Sequence, residues 1–424
     1  MSRRLAGSSM YSRFRSAKFI FFMTLCNAMV MLMNVVYMYH RGEVVQTKQE
    51  IIREVIRTVP CEEEIEKEHK AKVRVKYFDD VKHRHEEEET ESELPLCANV
   101  TTPGVECELP FSEFHYPLQI DMKNLVSIYK EKGHVDEPII NKYTHIETIR
   151  PTKICVYGGD KGPKKDVFLI YLIKSTPTNY ARRNAIRKSW ANEYKFPNIR
   201  LVFLMGIPER STLNDMVVTE SKEFGDILQL DFIDTYYNLT LKAIGGIRWT
   251  AKNCPGAKFA VMGDDDYYVA TDFMLSLLEH MYSIQPTKIY MGGLIHSAKP
   301  QRDKSAKWYI SPADYPFNRY PPVIRGGTLV MSMDFVIDMN IVIPYTKTIP
   351  FDDVYFAIVA YKLGIKAMTE DRFAFRKVRY SDDEFRTVLS SHGYKRPFEL
   401  KHAWRCHEIM QELARENSTK KTCW

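Results

Sequence analysis

Three consecutive carboxylates close an apolar run: Lys258-Phe-Ala-Val-Met262 leads straight into Gly263-Asp264-Asp265-Asp266-Tyr267-Tyr268. Like charges this close raise one another's pKa and cost stability unless a cation compensates. Carboxylate oxygens suit hard ions such as Mg²⁺ or Mn²⁺, which commonly join a protein to a substrate's phosphates. A solvated acidic loop is the alternative. The place of the run, at the end of a buried strand, favours the cation site.

A second acidic pair, Asp352-Asp353, opens the apolar pattern DDVYFAIVAYKLGIKA. Carboxylates are favoured at helix N-termini, so the pair suits a cap. A carboxylate buried beside a substrate hydroxyl could also act as general base, and the two roles are compatible. Arg182, Arg183 and Arg187 share a helical segment with Lys188. Guanidinium forks suit diphosphates, and the same residues suit a solvated basic face. Gly326-Gly327, in YPPVIRGGTLVMS, allows either close backbone approach to a ligand or a plain turn. His392, in VLSSHGY, is a lone histidine, for which a structural role is the commoner one.

The elements that must position these residues begin at Asp166. Strands are predicted in DVFLIYLIKS, NIRLVFLMG, DILQLDF and AKFAVMG. Helices are predicted in TPTNYARRNAIRKSWANEY, in STLNDMVVTESKEFG with its end at Gly225, and in NLTLKAIGGIRWTAKNC. Such alternation predicts an α/β domain whose mostly parallel sheet is covered on both faces. Ligands of these sheets collect beyond the carboxyl ends of the strands, where the acidic run lies.

The chain has 424 residues, 45% hydrophobic, 12% aromatic and 27% charged, a globular balance that excludes wholesale disorder. A net charge of +6, spread among nearly as many acids, gives no nucleic-acid footprint. A single stretch is long and apolar enough to cross a bilayer. Residues 1–18 carry Arg3, Arg4, Arg13, Arg15 and Lys18 and no acid, and the 21 residues from Phe19 to Tyr39 carry no charge. About 20 suffice for a span, and the basic flank orients it with its tail in the cytosol. We therefore expect a cytoplasmic tail over 1–18 and a signal-anchor transmembrane helix over 19–39. A polar lumenal stem follows over 40–110, then a stem or approach segment over 111–165, then the main domain over 166–424.

Cys61, Cys97, Cys107, Cys155, Cys254, Cys406 and Cys423 follow the span, an odd number in an oxidising compartment. Cys61 could join two stems into a homodimer or remain a free thiol. Sequons at Asn99, Asn238 and Asn417 fit the same compartment.

In order, RRNAIRKSW, FGDILQLDFIDTYYNLTLKA, CPGAKFAVMGDDDYYV, KWYISPADYP, YPPVIRGGTLVMS, DDVYFAIVAYKLGI and VLSSHGYKRPFELKHAW resemble glycosyltransferase family 31, the β-1,3-galactosyltransferase and β-1,3-N-acetylglucosaminyltransferase group. The resemblance runs from about Asp166 to Trp404. It implies a GT-A nucleotide-sugar transferase fold over 166–424. The donor would be a UDP-sugar and the acceptor a glycan on a glycoprotein or glycolipid. Inverting transfer would form a β-1,3 linkage at the lumenal face of the Golgi membrane. Carried over residue by residue, it implies Mn²⁺ on the UDP diphosphate held by Asp264 and Asp266. Asp265 would lie towards the sugar nucleotide, and Asp353 would be the base. His392, ahead of Pro397 and Trp404, would be a metal ligand or diphosphate contact. Arg183 and Arg187 would line the donor side, assisted by Lys242. Trp308, Tyr309 and Tyr320 would offer flat faces to acceptor sugars.

The family's YPPYCSGGGYVMS departs here to Val323, Ile324, Arg325 and Thr328. The missing Cys removes a likely disulfide partner, so Cys254 or another lumenal Cys is expected to pair differently. Arg325 adds a cation near the pocket. That change motivates a rival reading: a membrane-anchored protein of the same fold that binds glycan or UDP-sugar without turnover.

Overall fold

Uninterrupted apolar runs make the centre of the sheet, because a strand covered on both faces has no solvent side to mark with polar residues. The computed structural model describes residues 120–152, 154–155 and 167–421, with side chains as far as 415. The expected tail, anchor and stem, with Asn99 and Cys61, lie outside these residues. Among the described residues, no helix is long and apolar enough to cross a membrane.

The strands are β1 (Glu147–Ile149), β2 (Leu169–Lys174), β3 (Ile199–Ile207), β4 (Ile227–Ile233), β5 (Phe259–Asp264), β6 (Tyr267–Val269), β7 (Tyr290–Ile295), β8 (Val323–Ser332), β9 (Met368–Thr369), β10 (Phe373–Ala374) and β11 (Ser390–His392). The larger sheet has the order β1-β4-β3-β2-β5-β8-β7-β9, and a small one the order β10-β11-β6. Its β4-β3-β2-β5 part is parallel, as the strand–helix alternation predicts. Beyond β5 the rule fails: β8 runs antiparallel to both β5 and β7, so the sheet is mixed.

Alternate residues of each central strand serve opposite cores. Ile170 and Leu172 of β2 pack with Val202, Leu204, Ala260 and Met262 beneath α4 (Leu239–Asn253), α6 (Met333–Val342) and α7 (Asp352–Lys362). Leu169, Tyr171 and Ile173 face the other way, beneath α2 (Tyr180–Arg187), α5 (Thr271–Ile284) and α8 (Pro397–Lys421). The remaining helices are α1 (Met122–Lys132) and α3 (Ser211–Phe224), which ends as expected at Gly225 in the left-handed conformation.

Gly326-Gly327, read from sequence as a point of close backbone approach or a plain turn, lies inside strand β8. Its glycines hid it, since Gly weakens a strand pattern. Their reason is close packing on both faces. A Cβ at Gly327 would lie 1.8 Å from the Tyr267 hydroxyl, and one at Gly326 would lie 3.1 Å from Asp353 Cβ. Cys155 and Cys254 form a disulfide, tying the segment before β2 to the end of α4.

Candidate active site

Parallel pairing puts the last residue of β2 opposite the last residue of β5: Lys174 is the register partner of Asp264. The Lys174 ammonium, 3% exposed, lies 3.1 Å from Asp264 Oδ1 and 2.5 Å from Asp352 Oδ2, and donates to the Gly326 carbonyl. Burial alone would lower its pKa, but the two carboxylates outweigh burial and raise it. Asp264 is pushed up to about 6 by burial, against the pull of Lys174. Sequence reasoning missed Lys174. The signal was there, a cation ending the otherwise apolar run of β2.

Asp352 and Asp353 begin α7, as expected. Asp352 is buried on Lys174. Asp353 accepts from the Gly326 amide at 3.3 Å and from its neighbour Val354 at 2.8 Å. Burial, then the charge of Asp352, push Asp353 up to about 6. That is the environment of a carboxylate able to take up a proton near neutral pH.

Past β5 the chain turns through Asp265 and Asp266 into β6, which pairs with β11 and sets His392 opposite Tyr267. His392 Nε2 lies 3.4 Å from Asp266 Oδ2. The hydrogen bond to Asp266 raises the imidazole pKa. Burial would raise Asp266, but the His392 hydrogen bond and charge outweigh it and hold the carboxyl below its usual range. The His392 ring stacks on Phe375 at 5.6 Å. Asp264, Asp266 and His392 thus border one corner of the strand ends. Among the described residues, no three His, Cys, Asp or Glu side chains stand close enough to hold an ion by themselves.

Several expected donor contacts are corrected by their burial. Asp265 does not face a ligand: its oxygens accept from Ser175 Oγ at 2.6 Å, Asn179 Nδ2 at 2.9 Å and the Arg182 guanidinium. Arg183 is 0% exposed and grips Glu220 through two hydrogen bonds of 2.8 and 2.6 Å, while also donating to Ser175 Oγ. Arg187 pairs with Glu220 and Asp226 and lies against the Phe224 ring. Lys242 is buried between Asp234 Oδ1, at 2.9 Å, and the Ser175 carbonyl, at 2.7 Å. Rather than a diphosphate, Arg183 and Lys242 therefore hold the loop after β2, and Arg187 joins α3 to the start of β4. Arg182 is the arginine of this group that reaches the acidic motif.

On the acceptor side, Trp308 is exposed, Tyr309 is half-buried and Tyr320 is buried against Tyr315. Tyr320 is therefore a core residue and offers no face to a sugar. Arg325 lies over the Phe375 ring at 4.7 Å, while Gly326 beside it keeps its bond to Asp353. At the Asn238 sequon, the half-buried Asn238 amide donates to the Ile233 carbonyl, and the Thr240 hydroxyl donates to the Ile349 carbonyl. Asn417 lies in the last turns of α8, where side chains are outside the described residues.

The Galactosyltransferase family model matches residues 181–371, from α2 through the acidic motif to the segment after α7. The β-1,3-galactosyltransferase brn of Drosophila melanogaster is 36% identical over 239 residues, covering 56% of this chain and 73% of that protein. The chain belongs to glycosyltransferase family 31. Within it, the human (Homo sapiens) β-1,3-galactosyltransferase 1 is 34% identical, covering 58% of this chain and 75% of its own. The lactosylceramide 1,3-N-acetyl-β-D-glucosaminyltransferase of Xenopus tropicalis is also 34% identical, covering 58% and 67%. This family 31 chain is accordingly a glycosyltransferase of the β-1,3-galactosyl- and N-acetylglucosaminyltransferase group. Among solved structures, the galactosyltransferase LgtC with donor and acceptor sugar analogues covers 58% of this chain and 95% of that one, at 15% identity and a TM-score of 0.30.

Proposed function

We propose that this family 31 chain moves a hexose, either galactose or an N-acetylhexosamine, from a UDP-sugar to the 3-hydroxyl of an acceptor glycan on a glycoprotein or glycolipid. Transfer goes with inversion and leaves a β-1,3 linkage. The observation that carries this reading is the pairing of two carboxylate sets across one cation. Asp353 begins α7 beside Asp352, and Asp352 shares Lys174 with Asp264 at the strand ends.

In the step we propose, the acceptor hydroxyl oxygen attacks the anomeric carbon and gives its proton to Asp353. The bond from that carbon to the diphosphate oxygen breaks, and its electron pair leaves with UDP. One displacement of an α-linked donor gives a β-linked product, with no covalent enzyme intermediate. The Gly326 amide donates to Asp353, and Lys174 engages the neighbouring Asp352.

The donor set suits a hard divalent ion. Asp264 and Asp266 offer carboxylate oxygens, part-exposed at the strand ends, with His392 beside them. With so few protein ligands converging, diphosphate oxygens would complete the shell. Bound there, Mn²⁺ would supply charge neutralisation for the departing diphosphate.

The strand order around an acidic motif suits a GT-A-like fold. The Cys155–Cys254 disulfide supports an oxidising compartment, and the basic flank of residues 19–39 supports a type II anchor. We place the enzyme in the Golgi membrane with its main domain in the lumen.

The test is UDP release by the detergent-solubilised full chain, given Mn²⁺ and UDP-galactose, UDP-N-acetylglucosamine or UDP-N-acetylgalactosamine, with a panel of glycan acceptors. Acceptor-dependent release with one donor names the sugar. No release from any donor, or an Asp353→Asn variant of full activity, sinks the reading.

A further inference from the structure

An aromatic cluster stands on the rim of the same strand ends. The turn Tyr236–Asn238 follows β4, and the loop carrying Trp308 follows β7. Trp308 Nε1 donates to the Tyr236 hydroxyl at 2.9 Å, fixing the plane of the indole. The Lys307 ammonium sits 4.0 Å over the Tyr236 ring and 5.7 Å from the centre of the Trp308 ring. The indole itself remains 58% exposed, and the adjoining Tyr237 ring 60%.

Both loops are built rigidly. Arg302 donates to the carbonyls of Ile310, Tyr315 and Phe317, which clamps the Trp308 loop upon itself. Thr240, just past the Tyr236 turn, donates to the carbonyl of Ile349, in the segment leading into Asp353. The cluster is thereby tied to the base-bearing element. Its partners are nevertheless one another, not Asp353 or Gly326. Aromatic faces held in a fixed plane by hydrogen bonds match the apolar C–H faces of sugar rings.

We propose that Trp308, oriented by Tyr236, stacks on a second sugar ring of the acceptor, beyond the ring that reacts. The enzyme then prefers glycans of two or more residues to single sugars. This rests on the transfer reading above and names its acceptor class.

The experiment compares acceptor KM for a disaccharide and for a monosaccharide glycoside with the same terminal sugar, using the full chain. Trp308→Ala should raise the disaccharide KM about tenfold, a loss on the scale of 1.4 kcal/mol, and the monosaccharide KM far less. Tyr236→Phe, which loses only the bond that orients the indole, should fall between. Tyr194→Ala, a fully exposed aromatic elsewhere, should keep the wild-type ratio. Equal rises for both acceptors in Trp308→Ala, or none, overturn the proposal.

A second readout needs no turnover: quenching of tryptophan fluorescence by the disaccharide with UDP present, lost in Trp308→Ala. Quenching without any transfer by wild type upholds the subsite and defeats the transferase reading. Transfer without quenching or a KM split does the reverse.

Discussion

Lys174 joins the two acidic motifs: its ammonium touches Asp264 at the end of β5 and Asp352 at the start of α7. Three carboxylates crowd this corner, counting Asp353, and the lysine lets them stay close. It also fixes the base-bearing end of α7 to the strand ends, so donor side and base share one anchor.

Replacing that cation with an isosteric apolar chain should therefore cost stability as well as turnover. Removing one partner of a buried ion pair typically costs about 3–5 kcal/mol. Asp264 is partly exposed, which tempers this, so Lys174→Met should land at the lower end. At about 2–4 °C per kcal/mol the melting temperature drops by on the order of 10 °C. Adding Asp352→Asn should restore part of the loss by removing the stranded charge. A thermal melt of Lys174→Met that matches wild type contradicts the bridging role.

Asp353 sets the pH profile. Its carboxyl is raised to about 6, and only the ionised form accepts a proton. Transfer should fall as pH drops below about 6 and level off above it. Asp353→Asn should lose about 10²–10⁴ of kcat with UDP still bound. Stability moves the other way. A pKa raised from 3.8 to about 6 by folding favours the folded protein fully below about pH 4, and that favour is lost as pH rises through 6. The Asn variant should thus gain on wild type in melts at pH 7.5 and not at pH 4. A wild-type rate that stays flat down to pH 4.5 would falsify the assignment.

The parallel half of the fold was legible because β2, β3, β4 and β5 are mainly apolar and alternate with helices. The antiparallel half was not, since Gly326 and Gly327 disguise β8 and the pairs of the small sheet are only two or three residues long. At the site, the Asp264 and Asp353 motifs were readable from like charges at element ends. Arg183, Arg187 and Lys242 misled because folding supplies their partners: Glu220 and Asp226, far along the chain from the arginines, come from α3 and the residue before β4, and Asp234 comes from the turn between β4 and α4. Sequence shows a cation but not the carboxylate that folding brings to it. Tyr320 misled in the same way, through the packing of Tyr315.

The Arg183–Glu220 pair gives the sharpest contrast between donor contact and support. Both side chains are essentially buried, at 0% and 2% exposed. Arg183→Met should leave the buried Glu220 with only Arg187 of its two arginine partners, costing about 3 kcal/mol, the lower end for a broken buried pair. The double variant Arg183→Met, Glu220→Met should recover much of that loss, because the pair itself is worth far less than the unpaired charge. A direct diphosphate contact predicts another pattern: a raised donor KM, an unaltered melt, and no rescue by changing Glu220. Melting curves and donor KM for the three variants separate the two.

The Cys155–Cys254 bridge closes a sequence separation of 99 residues, enclosing β2 to β4 and most of what holds the acidic motif. Closing so long a loop restricts the unfolded chain strongly, and removing such a bridge typically costs about 2–5 kcal/mol. Cys254 is buried at the end of α4, about two turns past Gly246, so its loss should loosen α4 against β3 and β4 first. Cys254→Ser, and wild type under reductant, should both melt lower by similar amounts, and reductant should change the Ser variant little. Since Thr240 ties α4 to the Ile349 carbonyl, the same loosening should reach the approach to Asp353 and lower kcat below the melting range. Equal melting temperatures with and without reductant would mean that the bridge does not form in the folded protein, and would remove the structural argument for an oxidising compartment.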